Sequence, residues 1–62
     1  MDTPDRFLRI DEVKQMVGLS RSQVYALAQA GEFPRPAKLG SSSRWSLKAV
    51  QAWMSQMVER AA

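Results

Sequence analysis

Only three residues, Gly18-Leu19-Ser20, separate two segments of helical periodicity, and that spacing restricts the chain more than any other feature. Upstream, Asp11 is a suitable N-cap and Glu12 favours a first turn. Val13, Met16 and Val17 fall at helical spacing before Gly18 supplies a stop, which predicts a helix over Glu12 to Val17. Downstream, Ser20-Arg21-Ser22-Gln23 matches the capping box, in which the Ser and Gln side chains satisfy each other's backbone N–H groups. Val24, Leu27 and Ala28 form the apolar stripe of this second helix, and Gly31 closes it. A tight turn containing glycine sets two helices at a steep angle, so residues 12–31 read as a helix-turn-helix; an ordinary helical hairpin has the same local pattern.

The chain has 62 residues, which predicts a single domain, 1–62. A domain of that size buries only about 60% of the surface its unfolded chain exposes and has no room for a deep catalytic cleft. Cys and His are both absent. That removes disulfides, thiolate or imidazole metal sites and the usual general base, so we expect no enzyme, no cofactor and no structural metal. Met1 to Asp5 carry two acids and no apolar stretch, and no apolar run approaches membrane-spanning length. The expectation is a soluble, intracellular protein, with neither a membrane nor a small molecule as partner. The formal net charge of +3 suits a polyanion, and its placement is more telling than its size. After Glu32 the only acid is Glu59, whereas Arg35, Lys38, Arg44, Lys48 and Arg60 all follow, and Arg35 to Lys48 contains no acid.

Elsewhere, residues 1–6 read as a disordered N-terminus and Phe7 to Ile10 as extended. Phe33-Pro34-Arg35-Pro36 cannot continue a helix. Ala37-Lys38-Leu39 and Arg44-Trp45-Ser46 flank Gly40-Ser41-Ser42-Ser43, a pattern that predicts a β-hairpin over 37–46 with a small flexible tip. Ser46 can cap a third helix over 47–60, with Leu47, Val50, Trp53, Met54 and Met57 at helical spacing. Trp45 and Trp53 read as core, because so small a chain needs large apolar side chains to fold. Met54 and Met57 read as core or as an edge between copies.

With Val24, Leu27 and Ala28 turned inwards, the opposite arc of the second helix holds Ser22, Ala26 and Gln29, with Arg21 and Tyr25 on the shoulder. This face is small, polar and nearly uncharged, and fits a major groove. Arg21 can read guanine, and Gln23 can read adenine, although capping alone accounts for Gln23. Ser20 and the free N–H groups beside it can hold a phosphate. Tyr25 suits either the core edge or a hydroxyl-to-phosphate bond. If Trp45 points inwards then Arg44, its strand neighbour, points outwards to phosphate or minor groove, with Lys38 across the hairpin in the same patch. The candidate DNA contacts are thus Ser20, Arg21, Ser22, Gln23, Tyr25, Gln29, Lys38 and Arg44.

Several stretches together resemble the AlpA-type prophage regulators, small relatives of the MerR-like winged helix and of phage excisionases. They are Phe7 to Val13, Gly18 to Tyr25, Gly31 to Pro36 with Lys38-Leu39-Gly40, and Arg44-Trp45 leading to Ala52-Trp53. The resemblance implies a transcriptional regulator of phage or mobile-element genes, with the helix from Arg21 in the major groove and the hairpin as wing. Family members often look more basic at the wing tip; Ser41-Ser42-Ser43 stands there instead, which leaves Arg44 and Lys38 as the wing's anchors. The fold expected is mostly α (α+β), a three-helix winged helix-turn-helix with one small β-hairpin wing. The partner expected is double-stranded DNA. One module covers a short site, so specificity calls for a second copy, by dimerisation or cooperative binding, with the Met-rich end of the third helix as the candidate contact. An excisionase-like factor that bends DNA shares this fold, and a protein-interaction module without nucleic acid is the third class.

Overall fold

The computed structural model describes residues 4–61, so the disorder expected for Met1–Thr3 lies outside the described residues. The first helix, α1 (Ile10–Val17), starts two residues earlier than the sequence predicts. Glu12 is the cause: its carboxylate accepts from the Arg9 backbone N–H at 3.1 Å. Arg9 is therefore the N-cap residue, and Asp11, the expected cap, sits in the first turn. A guanidinium has no acceptor, so only the Glu12 half of a capping box operates there. Gly18 ends the helix in the left-handed conformation (φ 70°), its N–H donating to the Lys14 carbonyl at 2.8 Å.

The second helix, α2 (Arg21–Gln29), starts as predicted. The Gln23 N–H donates to Ser20 Oγ at 3.2 Å, and the Ser20 N–H donates to Gln23 Oε1 at 2.9 Å. At its other end Gly31 takes φ 79°, which lets its own N–H reach the Ala28 carbonyl and the Glu32 N–H reach the Leu27 carbonyl, at 3.2 and 2.9 Å. This pair of bonds is a Schellman motif, and it turns the chain sharply out of α2.

The sheet has one more strand than the hairpin alone provides. Strands β1 (Phe7–Leu8), β2 (Ala37–Leu39) and β3 (Ser42–Ser46) lie in the order β1-β3-β2, with both pairings antiparallel. The hairpin loop is only Gly40-Ser41, and Gly40 alone has positive φ (66°), as in a type II′ turn. Ser42 and Ser43, expected in the tip, belong to β3. That shortening sets the register: Lys38 is opposite Ser43, and Arg44 is opposite Ala37. Trp45 points inwards as expected, with no exposed surface.

The third helix, α3 (Leu47–Ala61), has its start held from two sides. Ser46 Oγ accepts from the Ala49 N–H at 3.1 Å, the capping role expected of it. Asp5 corrects the expectation of disorder through residue 6: its carboxylate accepts from the Ser46 hydroxyl at 2.6 Å and from the Lys48 N–H at 3.0 Å. The Arg6 carbonyl also accepts from the Leu47 N–H at 2.9 Å. The Ser46 hydroxyl first, and the Lys48 N–H second, hold the Asp5 carboxyl below its ordinary value. A carboxyl lowered by folding adds stability above its unfolded pKa and loses it as pH falls through the lowered one. Asp5→Ala is therefore expected to be less stable than the parent in urea at neutral pH, with the gap closing as pH falls below the ordinary carboxylate range. A gap that widened on acidification would contradict the clasp.

Leu8, Val13, Val24, Ala28, Phe33, Trp45 and Val50 form the core, with Met16, Val17, Leu27, Leu47 and Met54 partly buried against it. The two tryptophans are unequal. Trp45 is fully buried, and its Nε1–H donates to the Pro34 carbonyl at 2.9 Å. Trp53, expected in the core, is only partly buried because it covers the core's edge: its ring meets Phe33 edge-on at 4.8 Å, and its Nε1–H donates to the Glu32 carbonyl at 2.7 Å. The two indoles together pin the segment that leaves α2 and leads to the hairpin. Three helices and a small antiparallel sheet in this order form the winged helix-turn-helix, with β1 added to the wing.

Candidate nucleic-acid interface

Burial of Val24 and Ala28 fixes which face of α2 is left to solvent. Ser22, Gln23, Ala26 and Gln29 are exposed, and Tyr25 and Leu27 lie between the two sides. Ser20 and Gln23 are joined in the capping box, which occupies the Gln23 carbonyl and leaves its NH₂ to donate. Arg21 is exposed, and its guanidinium carbon lies 5.6 Å from the centre of the Tyr25 ring. Tyr25 in turn meets Trp45 at 5.6 Å with the ring planes 66° apart. The first turn of α2 is thus linked, through an edge-on pair of rings, to the centre of the core.

Beside that turn an open cleft of about 540 Å³ runs between the start of α1, α2 and the hairpin. Arg9, Arg21, Lys38 and Arg44 line it, together with Asp11, Tyr25, Ser41 and Ser43. Among the described residues the one ion pair is Arg6 with Glu12 at 3.5 Å, so none of these four cations is paired. Arg44 donates from Nη1 to the neighbouring Ser43 carbonyl at 3.0 Å and has no carboxylate partner. A second cleft of about 590 Å³ shares Tyr25, Lys38 and Ser43 and adds Gln29 and Arg35.

Of the residues predicted from the sequence, Arg21, Tyr25, Lys38 and Arg44 meet in the first cleft, and Gln29 joins Tyr25 and Lys38 in the second. Ser20, Ser22 and Gln23 line neither and stay on the exposed start of α2. Arg9 and Arg35 are the cations that sequence reasoning left out of the site. Arg9 had one signal, being the only charge within Phe7-Leu8-Arg9-Ile10. Among the described residues no group of His, Cys, Asp and Glu could hold a metal ion, and no helix is long and apolar enough to cross a membrane.

The family model for the prophage CP4-57 regulatory protein (AlpA) matches residues 6–58. The chain belongs to the AlpA family. An uncharacterized protein of Enterobacteria phage P4, ORF88, is 46% identical to it over 54 residues, covering 86% of this chain and 61% of that protein. The chain therefore corresponds to about three fifths of that relative's length. No solved structure matches. The AlpA match takes in every residue that lines the first cleft, from Arg9 to Arg44.

Proposed function

We propose that this AlpA-family chain is a sequence-specific regulator of phage or mobile-element genes that binds duplex DNA in the bacterial cytoplasm. In this reading α2 enters the major groove and the β2–β3 hairpin lies beside it as a wing. The observation that supports it is the junction of two surfaces: the small, uncharged face of α2 and the cleft of four unpaired cations next to it. The first gives close approach to base edges and the second gives attraction to phosphates. A cation on the first turn of a helix opposes the helix dipole, which makes Arg21 costly to keep in isolation and favourable beside DNA. Tyr25 restricts the Arg21 side chain before binding, so less conformational freedom is lost on contact. A single module of this size covers a short site, so the reading includes a second copy on adjacent DNA.

Arg21 and Arg44 have different tasks here, and their variants test the reading. Arg21→Ala should cost about 1–3 kcal/mol on the true site and much less on random duplex, as expected for a lost guanine contact. Arg44→Ala should weaken both duplexes by similar factors and reduce the salt slope by about one. Titrations of labelled duplexes measure both. If Arg21→Ala lowered the two affinities equally while Arg44→Ala erased only the preference, the wing and not α2 would be the reading element.

A further inference from the structure

Strand β1 brings a cation into the interface from the far end of the sequence. Its ladder pairs Phe7 with Ser46 and Leu8 with Trp45 and ends there; Arg9, still extended (φ −79°, ψ 161°) as the N-cap of α1, follows Leu8 just as Arg44 precedes Trp45 on the antiparallel partner. Like charges brought together repel, yet these two arginines line one cleft with Arg21 and Lys38. Asp11 is the only carboxylate there, so the lining carries a local excess of three positive charges, as large as the formal net charge of the whole chain. The Ser41 and Ser43 residues that complete the lining bear hydroxyls able to donate.

We propose that Arg9 and Arg44 form a clamp for a single phosphate of the DNA backbone, closed by the β1–β3 pairing. This rests on the DNA-binding reading above and adds to it a residue and a stoichiometry. Arg9 and Arg44 lie just beyond the end of the β1–β3 ladder and line the same cleft, so their two guanidiniums can each approach one non-bridging oxygen of the same phosphodiester. The Nη1 bond of Arg44 to the Ser43 carbonyl holds its side chain along β3 and leaves its other N–H groups for the anion. A phosphate between the two removes the repulsion that the sheet otherwise carries. Arg21 remains with its Tyr25 platform for the base edge.

The test is the salt dependence of duplex binding for Arg9→Ala, Arg44→Ala and the double variant, each first shown to melt like the parent. Arg60→Ala, on the last turn of α3 and outside this cleft, controls for net charge. Arg9→Ala should weaken specific and random duplexes alike, roughly fivefold near 0.15 M salt. The double variant should lower the magnitude of the log–log slope by about one, no more than Arg44→Ala alone, because the two arginines share one phosphate contact, and its fold-change should fall short of the product of the two singles. A slope reduced by about two with independent fold-changes would put the arginines on separate phosphates and overturn the clamp. An Arg9→Ala titration identical to the parent, or an equal loss in Arg60→Ala, would overturn it also. If the unaltered chain bound no duplex, the DNA reading itself would fall, a result distinct from these.

Discussion

Trp45→Ala is expected to leave the chain largely unfolded at room temperature. The indole, near the end of β3, is fully buried, meets the Tyr25 ring and donates to the Pro34 carbonyl. Truncating a buried Trp to Ala costs about 3–5 kcal/mol, and a core this small supplies little more than that. No disulfide is available to offset the loss. Circular dichroism with a urea titration should show no cooperative transition, or one moved to very low denaturant. Trp45→Phe keeps most of the packing but leaves the Pro34 carbonyl without its donor, so it should fold with a reduced midpoint. Trp53→Ala should be milder than Trp45→Ala, since Trp53 is only partly buried. A Trp45→Ala protein melting within a few degrees of the parent would mean that the core is organised around something else.

Duplex affinity is expected to fall by about two to three orders of magnitude as salt rises from about 50 to about 200 mM. The interface offers roughly four to six phosphate contacts: the Arg9–Arg44 pair, Lys38, Arg35 in the adjoining cleft, Tyr25, and Ser20 with the backbone at the start of α2. Each neutralised phosphate adds about −0.9 to the log–log slope, which gives roughly −4 to −5. The cations are unpaired in the free protein, Arg44 half-buried and the others exposed, so no internal salt bridge has to break and blunt the dependence. Anisotropy titrations on random duplex measure it without knowledge of the operator. An affinity indifferent to salt would remove nucleic acid as the partner and leave the protein-interaction class.

Sequence reasoning succeeded where the cause of structure is local. Ser20 and Gln23 are three residues apart, and their reciprocal bonds need nothing else from the fold. Gly31 is likewise readable, because the Schellman turn lies within one helix end. The hairpin tip is shorter than its sequence suggests: Gly40-Ser41-Ser42-Ser43 has no apolar alternation to mark where β3 begins, and the type II′ turn uses only its first two residues. Both tryptophans fall at apolar positions of their own elements, and tertiary packing decides which is central: Trp45 lies against Tyr25 and Pro34, whereas Trp53 meets Phe33 from the core's edge. Asp5 and Arg9 owe their positions to contacts with residues 46–48 and to β3, and helical or strand periodicity near residue 5 contains no trace of those partners.

That same pairing of β1 with β3 governs the order in which the chain can fold during synthesis. While α1 and α2 are already outside the ribosome, Leu8 and Val24 still lack the Trp45 side chain that buries them, so the emerging helices have no completed interior. Closing a loop from residue 8 to residue 45 must precede any reward from the central strand. The nascent chain should therefore stay open to proteases until β3 and the first turn of α3 clear the exit tunnel, and then close in one step. A stalled-ribosome series cut on either side of Lys48, each chain followed by an unstructured linker long enough to fill the exit tunnel, would show that transition as a sudden gain of protease resistance.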